Sequence, residues 1–365
     1  MPRRLKATLA GALAAGGGWP LRLIAGRRPE PLILAYHRVV EDFAESSKGT
    51  IPAMLISTRM LERHLEWLAA HYEVLPLEEA VAGPGRKGGK PRAAVTFDDG
   101  YADLYHNAFP ILKKVGIPAA VFVVSAHVGT SMVPLHDRVH HLLSRGLRRK
   151  EAMPARLSAL LARCGGPRRR GDAFALTTRL LTGIPRDELL AAVDRDESMS
   201  PLCEEHREEM KALTWEMLAT MERAGILIGS HTRTHALLPL ESPERVRDEL
   251  LGSRRELEAR LGSRVLHLAY PDGRFTLATI RAVQESGYRY AYTLCDHGAA
   301  RRGPWSVPRR ALWENSCVDG AGAFSESIMS CLVSGGLDAF HRCRWSLHRS
   351  AESAVRAGAL AINQS

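Results

Sequence analysis

The sequence predicts an α/β fold, a deformed (β/α)7-type barrel that carries a helical insertion and ends in a helical C-terminal tail. Three observations predict it. Short, almost continuously apolar stretches alternate with longer stretches of helical periodicity, which is typical of parallel βα units. About seven of the apolar stretches occur, a number that suits a closed barrel better than an open sheet. The alternation breaks once, over roughly residues 131–212, where we expect the insertion.

The first half of the chain supplies strands and helices in alternation. Residues 31–40 read PLILAYHRVV, a short and β-rich apolar run that predicts a buried strand. Ser57 and Thr58 precede a predicted helix over 60–71, because hydroxyl side chains cap the first turn of a helix. The other elements predicted here are strands at 72–77, 93–97 and 119–124 and a helix at 104–115.

The alternation resumes after residue 213 and continues to residue 293. Its predicted strands are 226–228, 265–270 and 288–293, and its predicted helices are 214–224, 243–261 and 276–286. Within the insertion only weak helical patterns occur, at 155–162 and 186–193, and we expect a lid-like helical segment. The chain therefore divides into a basic N-terminal segment (1–30), a barrel with its insertion (31–320) and a helical tail (321–365), with tail helices expected at 331–347 and 351–362.

Composition excludes some classes of protein and leaves the partners open. With 45% hydrophobic and 25% charged residues, the chain is typical of a globular protein and not of a disordered one. Its formal net charge of +10 would suit an anionic glycan, an anionic membrane surface or nucleic acid. The basic runs are scattered and carry no interleaved aromatic residues, so we expect no nucleic-acid partner. The sequence does not indicate an oligomeric state.

The N-terminal segment leaves the location of the protein open. Arg3, Arg4 and Lys6 precede a run of small residues, which is compatible with a signal peptide or with a basic segment in peripheral contact with a membrane. No uncharged apolar run reaches about 18 residues, so no membrane-spanning helix is predicted. The six cysteines form no C-x-x-C pair, and reduced thiols favour the cytoplasm or the inner membrane face, with a secreted or periplasmic location as the alternative.

Two polar clusters follow predicted strands. Residues 96–101 read TFDDGY and residues 230–235 read SHTRTH. Each cluster alone has a simpler explanation, a turn in the first case and a solvated surface pair in the second. Together they indicate a metal site, because two imidazoles four residues apart and one carboxylate make a three-ligand set with open positions. The second carboxylate could then act as general base towards a metal-activated water.

These motifs are similar to those of the polysaccharide deacetylase family, carbohydrate esterase family 4, over roughly residues 31–130 and 213–315. The resemblance implies Asp98 as catalytic base and Asp99, His231 and His235 as ligands of a divalent metal. Zinc is the first expectation, because two imidazoles and a carboxylate suit it, although cobalt, nickel or iron would also fit. The implied reaction is removal of N-acetyl groups from amino sugars of a polysaccharide or a lipid-linked glycan.

Weaker similarities imply further residues of the substrate site. The AYPDG stretch resembles the third motif of the family, which places Tyr270 and Pro271 at the acyl site. Because Pro271 has no N–H, we expect the N–H of Tyr270 to donate to the oxyanion. We also expect Tyr101 to contact the substrate and Arg309, with Arg310 as the alternative, to contact the base or the substrate.

The residue that protonates the leaving amine is less defined. His37 lies in YHRV, which resembles the first strand of the exopolysaccharide branch of the family, and is the expected acid. We find no counterpart of the Leu-x-His motif that many relatives use for this step, and His136 or His140 of the insertion are alternatives. Rival functions are a deformylase or another amide hydrolase on the same scaffold, and a non-catalytic glycan-binding protein.

Overall fold

The structure is a computed structural model that describes residues 31–83, 89–149, 153–164, 172–195, 210–294 and 303–335. The predictions for the N-terminal segment 1–30 and for the tail beyond residue 335 lie outside the described residues. Among the helices of these ranges, none combines the length and the apolar character needed to cross a membrane.

The described strands are short and mostly buried. They are β1 (Leu32–Tyr36), β2 (Arg38–Val40), β3 (Leu55–Ser57), β4 (Glu73–Val74), β5 (Arg92–Phe97), β6 (Ala119–Val123), β7 (Leu227–Ser230), β8 (His267–Ala269), β9 (Tyr290–Thr293), β10 (Val307–Pro308) and β11 (Arg310–Ala311). The predicted strand over 31–40 is in fact two strands, because the chain leaves the barrel at His37 and β2 pairs with β3 in a separate small sheet.

The described α-helices surround the strands and build the insertion. They are α1 (Phe43–Ser46), α2 (Thr58–His71), α3 (Leu77–Val81), α4 (Phe109–Val115), α5 (Leu135–Arg149), α6 (Ala155–Arg163), α7 (Ala173–Gly183), α8 (Arg186–Asp194), α9 (Trp215–Arg223), α10 (Pro243–Arg247), α11 (Ser253–Leu261), α12 (Leu277–Glu285) and α13 (Glu326–Ser334). Single π-helical stretches, Leu104–Ala108 and Asp248–Gly252, lead into α4 and α11.

The strands form a nearly closed parallel barrel, which confirms the predicted fold. Their order is β10-β9-β8-β7-β6-β5-β1-β11, every described pair is parallel, and β4 is added beside β5. Only Arg309 separates β10 from β11, and its N–H donates to the carbonyl oxygen of Thr293 at 2.8 Å. The segment that contains β10 and β11 therefore pairs with β9 through its first half and with β1 through its second half. Counted in this way, seven strand segments form the barrel.

The core follows from the parallel arrangement. Every residue of β5 and β6 is buried, because one face of each strand points into the barrel and the other is covered by helices. Helix α2 begins as predicted, since the Ser57 hydroxyl accepts the Met60 N–H at 3.2 Å. Leu61, Leu65 and Leu68 on its inner face are fully buried. Burial of each such leucine stabilises the fold by about 1.5–3 kcal/mol.

The insertion has an apolar cluster of its own, formed by α5 to α8. Val139, Leu157, Leu180 and Val193 are among its buried members. The sequence analysis did not predict α5 or α7. Helix α5 nevertheless carries a signal, because Val139, Leu142 and Leu143 are buried at helical spacing, although His136 and His140 are buried beside them.

Candidate metal and catalytic site

Two loops carry the predicted metal ligands, and the barrel brings them to the same rim. β5 and β7 both pair with β6, so the turns that follow them lie on either side of the end of β6, at the carboxyl ends of the strands. The turn after β5 contains Asp99 at φ 72° and Gly100 at φ 77°. A Cβ at Gly100 would lie 2.9 Å from the Cγ1 of Val123, so this turn requires glycine.

Asp99, His231 and His235 converge as predicted. The Asp99 Oδ1 lies 3.5 Å from the Nε2 of His231 and 3.3 Å from the Nε2 of His235. Ligands about 2.1 Å from a tetrahedral zinc ion would be separated by about 3.4 Å. The Asp99 Oδ1 is buried and has no hydrogen-bond partner among the described residues. An orphaned carboxylate oxygen facing two imidazole nitrogens at this spacing fits a divalent cation.

The protonation states also suit metal binding. The His231 Nδ1 lies 2.8 Å from the carbonyl oxygen of Ala269, to which it donates, so its Nε2 presents a lone pair towards Asp99. Burial lowers the pKa of His231 to about 4, which keeps the imidazole neutral. Burial alone would raise the pKa of Asp99, but His235 beside it lowers that pKa well below its usual value. A cation would compete with the His235 proton for this carboxylate.

Asp98 has a different partner. Both of its oxygens accept from the Arg309 guanidinium, at 2.7 Å each, and both side chains are almost fully buried. Burial would raise the pKa of Asp98, but Arg309 and, more weakly, His231 lower it below its usual value. Asp98 is therefore a carboxylate at neutral pH and can accept a proton. Of the two predicted alternatives, Arg309 is the one that contacts this carboxylate.

Comparison with known protein families identifies the family to which the chain belongs. The family model described as polysaccharide deacetylase matches residues 85–159 and 183–291, which together make about half of the chain. The chain belongs to the polysaccharide deacetylase family. It is accordingly a hydrolase that acts on carbon–nitrogen bonds other than peptide bonds.

Relatives and solved structures agree with this assignment. YxkH of Bacillus subtilis (strain 168), a protein named after the same family, is 23% identical over 301 residues, which cover 81% of this chain and 76% of the relative. The poly-beta-1,6-N-acetyl-D-glucosamine N-deacetylase of Staphylococcus aureus (strain MRSA252) is 35% identical over 120 residues, covering 30% of this chain and 41% of that enzyme. The deacetylase PplD of Streptococcus pyogenes has the same fold, with a TM-score of 0.52 and 18% identity over 84% of this chain and 98% of its own.

A cavity of about 370 Å³ opens onto the site of this family member. Asp98, Asp99, His231 and His235 lie in its wall, and so does the half-buried His37, which stands at the end of β1. Of the predicted acids, His37 and His136 line the cavity and His140 does not. The ring of His140 lies within the insertion, where its Nε2 is 3.1 Å from the Ser144 Oγ.

Several of the predicted substrate-binding residues do not line this cavity. The N–H of Tyr270 donates to the carbonyl oxygen of Tyr292 at 3.0 Å, and its hydroxyl donates to the carbonyl oxygen of Trp305. Because strand pairing already uses this N–H, it cannot serve as an oxyanion donor. Neither Tyr270 nor the buried Pro271 lines the cavity. Their neighbour Asp272, at φ 54°, does line it, and sequence reasoning missed this residue although it lies in the same motif.

The side chains of Tyr101 and Arg309 do not line the cavity, and they contact other residues instead. The Tyr101 hydroxyl donates to the Asp137 Oδ2 at 2.5 Å and lies 2.7 Å from the Nε2 of His136. Tyr101 therefore joins the barrel to helix α5 and fixes His136, whose ring centroid is 5.3 Å from that of His235. The side chain of Arg309 is fully buried and reaches Asp98 from inside the barrel.

One positioning residue carries no sequence signal. Glu249, on the π-helical stretch before α11, is fully buried. Its Oε2 accepts the backbone N–H groups of Arg233 and Thr234, at 2.9 and 2.8 Å. These bonds hold the loop between the two histidine ligands, in which Thr232 and His235 both have positive φ. In the sequence Glu249 is one charge among many in a strongly charged stretch.

Proposed function

We propose that this chain is a metal-dependent N-deacetylase that acts on amino sugars of a polysaccharide or lipid-linked glycan, with Asp98 as general base. The observation that supports this best is the convergence of Asp98, Asp99, His231 and His235 on one cavity. The staphylococcal relative is named as an N-deacetylase of poly-beta-1,6-N-acetyl-D-glucosamine, and this activity supports the class of substrate.

Asp99, His231 and His235 would hold the divalent cation. Zinc fits two imidazoles and one carboxylate, and cobalt, nickel or iron would fit the same donors. When bound, the cation polarises the acyl carbonyl group and lowers the pKa of a water molecule. The Ala269 carbonyl oxygen orients His231 for this task, and Glu249 orients the loop that ends in His235.

Asp98 takes a proton from the attacking water. Arg309 holds both carboxylate oxygens in place and keeps the group ionised, while burial keeps competing water away. His37, which lines the same cavity, protonates the departing nitrogen. Water thus adds across the amide bond, and the products are acetate and a free amino sugar. His136 is the alternative acid, although Tyr101 already contacts its Nε2.

The substitution Asp98→Asn tests this assignment. It removes the base and leaves the three metal ligands, so we expect release of acetate from N-acetylglucosamine oligomers to fall by about 10³-fold, within the range for a lost general base. Metal content, measured by elemental analysis, should stay at the wild-type level. His231→Ala should lose the metal as well as activity.

Asp187→Asn, which changes an exposed carboxylate of the insertion, is the matched control and should behave as wild type. Near-normal acetate release by the Asp98→Asn variant would disprove the general-base assignment. Release of formate from N-formylated probes without release of acetate would favour the deformylase instead.

A further inference from the structure

We propose that the helical insertion forms a pocket for a linear apolar chain of the substrate, so that the substrate is an amphiphilic N-acylated amino sugar. This inference rests on the proposed function, because the pocket and the metal ligands belong to one cavity. It narrows the substrate class from glycans in general to those that carry an apolar chain.

The residues that line the cavity are of two kinds. Ionisable side chains of the metal site form one part of its wall, and apolar side chains form another part. The apolar part of the wall includes Phe174 and Leu181 of α7, Leu189 of α8, Ile184 between these helices, and Ile51 and Met54 of the segment between α1 and β3. The insertion thus supplies about half of the apolar side chains that line the cavity.

Thr177, Thr178, Thr182 and Arg186 of the insertion also line the cavity, and two of these four polar side chains have described hydrogen bonds. The Arg186 guanidinium already donates to the carbonyl oxygen of Thr234 at 2.7 Å and to the Asp187 Oδ1 at 3.1 Å. The Thr177 hydroxyl donates to the carbonyl oxygen of Ala173 at 2.7 Å. A sugar ring presents a hydroxyl on most of its carbons, and burying one without a partner costs about 1–3 kcal/mol. An alkyl chain fills such a space without that cost.

Exposed apolar side chains support the same conclusion. The described residues have three large hydrophobic side chains that are strongly exposed, and all three lie in the insertion: Met132 at 46%, Leu147 at 45% and Phe174 at 44%. Of these, Phe174 lines the cavity. An aromatic ring half-exposed beside an apolar pocket is typical of a binding site for an apolar ligand.

The apolar chain of the substrate could be part of the N-acyl group or of the aglycone of the sugar, and three probes distinguish these two sources. They are methyl N-acetyl-β-D-glucosaminide, its octyl glycoside, and methyl N-octanoyl-β-D-glucosaminide. Binding is measured by calorimetry on the metal-loaded full chain carrying Asp98→Asn, and hydrolysis is measured on the metal-loaded wild type. Each buried methylene is worth roughly fourfold in affinity. We expect one of the octyl probes to bind at least about 50-fold more tightly than the methyl N-acetyl probe.

Matched variants test which side chains cause the preference for the octyl probes. In the Asp98→Asn protein, Phe174→Ser should reduce the ratio of octyl-probe affinity to methyl-probe affinity by at least about tenfold. Leu181→Trp should reduce this ratio similarly, because the larger side chain fills the pocket. Leu147→Ser, at an equally exposed leucine outside the cavity, should retain the preference. Equal binding of all three probes, or equal losses in Phe174→Ser and Leu147→Ser, would overturn the pocket. Octyl preference in binding without hydrolysis of any probe would instead retain the pocket and overturn the proposed deacetylase activity.

Discussion

Asp98 and Asp99 are adjacent carboxylates with different chemistry, and the difference comes from their partners. Asp98 faces a guanidinium that occupies both of its oxygens, whereas Asp99 leaves one oxygen facing two imidazoles. An ion pair that is fully buried keeps a carboxylate ionised and fixed in orientation. A carboxylate oxygen without a hydrogen-bond partner is instead ready for a cation. The backbone differs as well, since Asp99 has a positive φ and Asp98 does not.

The proton donor can be identified by changing the leaving group. His37→Gln should lower kcat for an N-acetyl amide by about 10²-fold, because the departing amine then lacks an acid. The same variant should retain most of its rate with 4-nitrophenyl acetate, whose leaving group needs no proton. Acetate release is measured for both substrates.

His136→Gln is the matched comparison, since both histidines line the cavity. If His37→Gln loses activity equally on the amide and the ester, His37 acts by positioning and not as an acid. If only His136→Gln shows the selective loss, the acid belongs to the insertion.

At the scale of elements, the sequence predicted those site residues that lie together in one contiguous motif. It did not predict the roles of residues whose contacts depend on how the strands pair. The Asp98–Asp99 and His231–His235 stretches were predictable because each follows its own strand. The loss of the Tyr270 N–H to strand pairing was not predictable, because it depends on the register between β8 and β9. The choice between Arg309 and Arg310 depends likewise on which side chain of the closing segment points inward, since neighbours in a strand alternate.

The π-helical stretch that carries Glu249 offers a test at this scale. Positive φ at Thr232 and His235 is strained by about 1–3 kcal/mol per residue, and Glu249 holds the loop in that form. Glu249→Gln should weaken metal binding by about 10–100-fold, as is usual for residues that orient a metal ligand. The measurement is titration of metal-stripped protein against a chelator of known affinity.

Asp248→Asn is the control for Glu249. Asp248 pairs with the exposed Arg233 side chain at 3.1 Å and makes no described bond to the loop backbone. It should therefore keep the wild-type affinity for the metal. An unchanged affinity in Glu249→Gln would show that the loop holds its shape without this carboxylate.

At the scale of the whole molecule, the barrel gathers distant residues because parallel strands all end at one rim. The site then lies where the barrel meets the insertion, which has an apolar cluster of its own. Tyr101 and Arg186 connect the two through Asp137 and the Thr234 carbonyl oxygen. Both connections adjoin the metal-binding loops, so the position of the insertion is coupled to the geometry of the site.

The stability of the whole fold should fall in mild acid, and His64 shows why. His64 is fully buried, its Nδ1 lies 3.1 Å from the Tyr36 hydroxyl, and its Nε2 has no hydrogen-bond partner among the described residues. Burial lowers its pKa to about 3, so the folded state keeps it neutral where the unfolded chain, with a pKa of about 6.5, takes up a proton. The resulting stability is complete above pH 6.5 and is lost as the pH falls towards 3.

Substitution of His64 should remove this dependence. Between pH 7 and pH 5 the wild type should lose about 2 kcal/mol of unfolding free energy through His64 alone, since the unfolded state gains a proton over about 1.5 pH units at 1.36 kcal/mol per unit. His64→Gln should be less stable at pH 7, yet its loss between the two pH values should be smaller by about that amount. Urea unfolding at both pH values, with a chelator present so that metal binding does not contribute, provides the measurement. Equal losses in the two proteins would mean that this imidazole is protonated inside the fold, and that the contact with Tyr36 accommodates its charge.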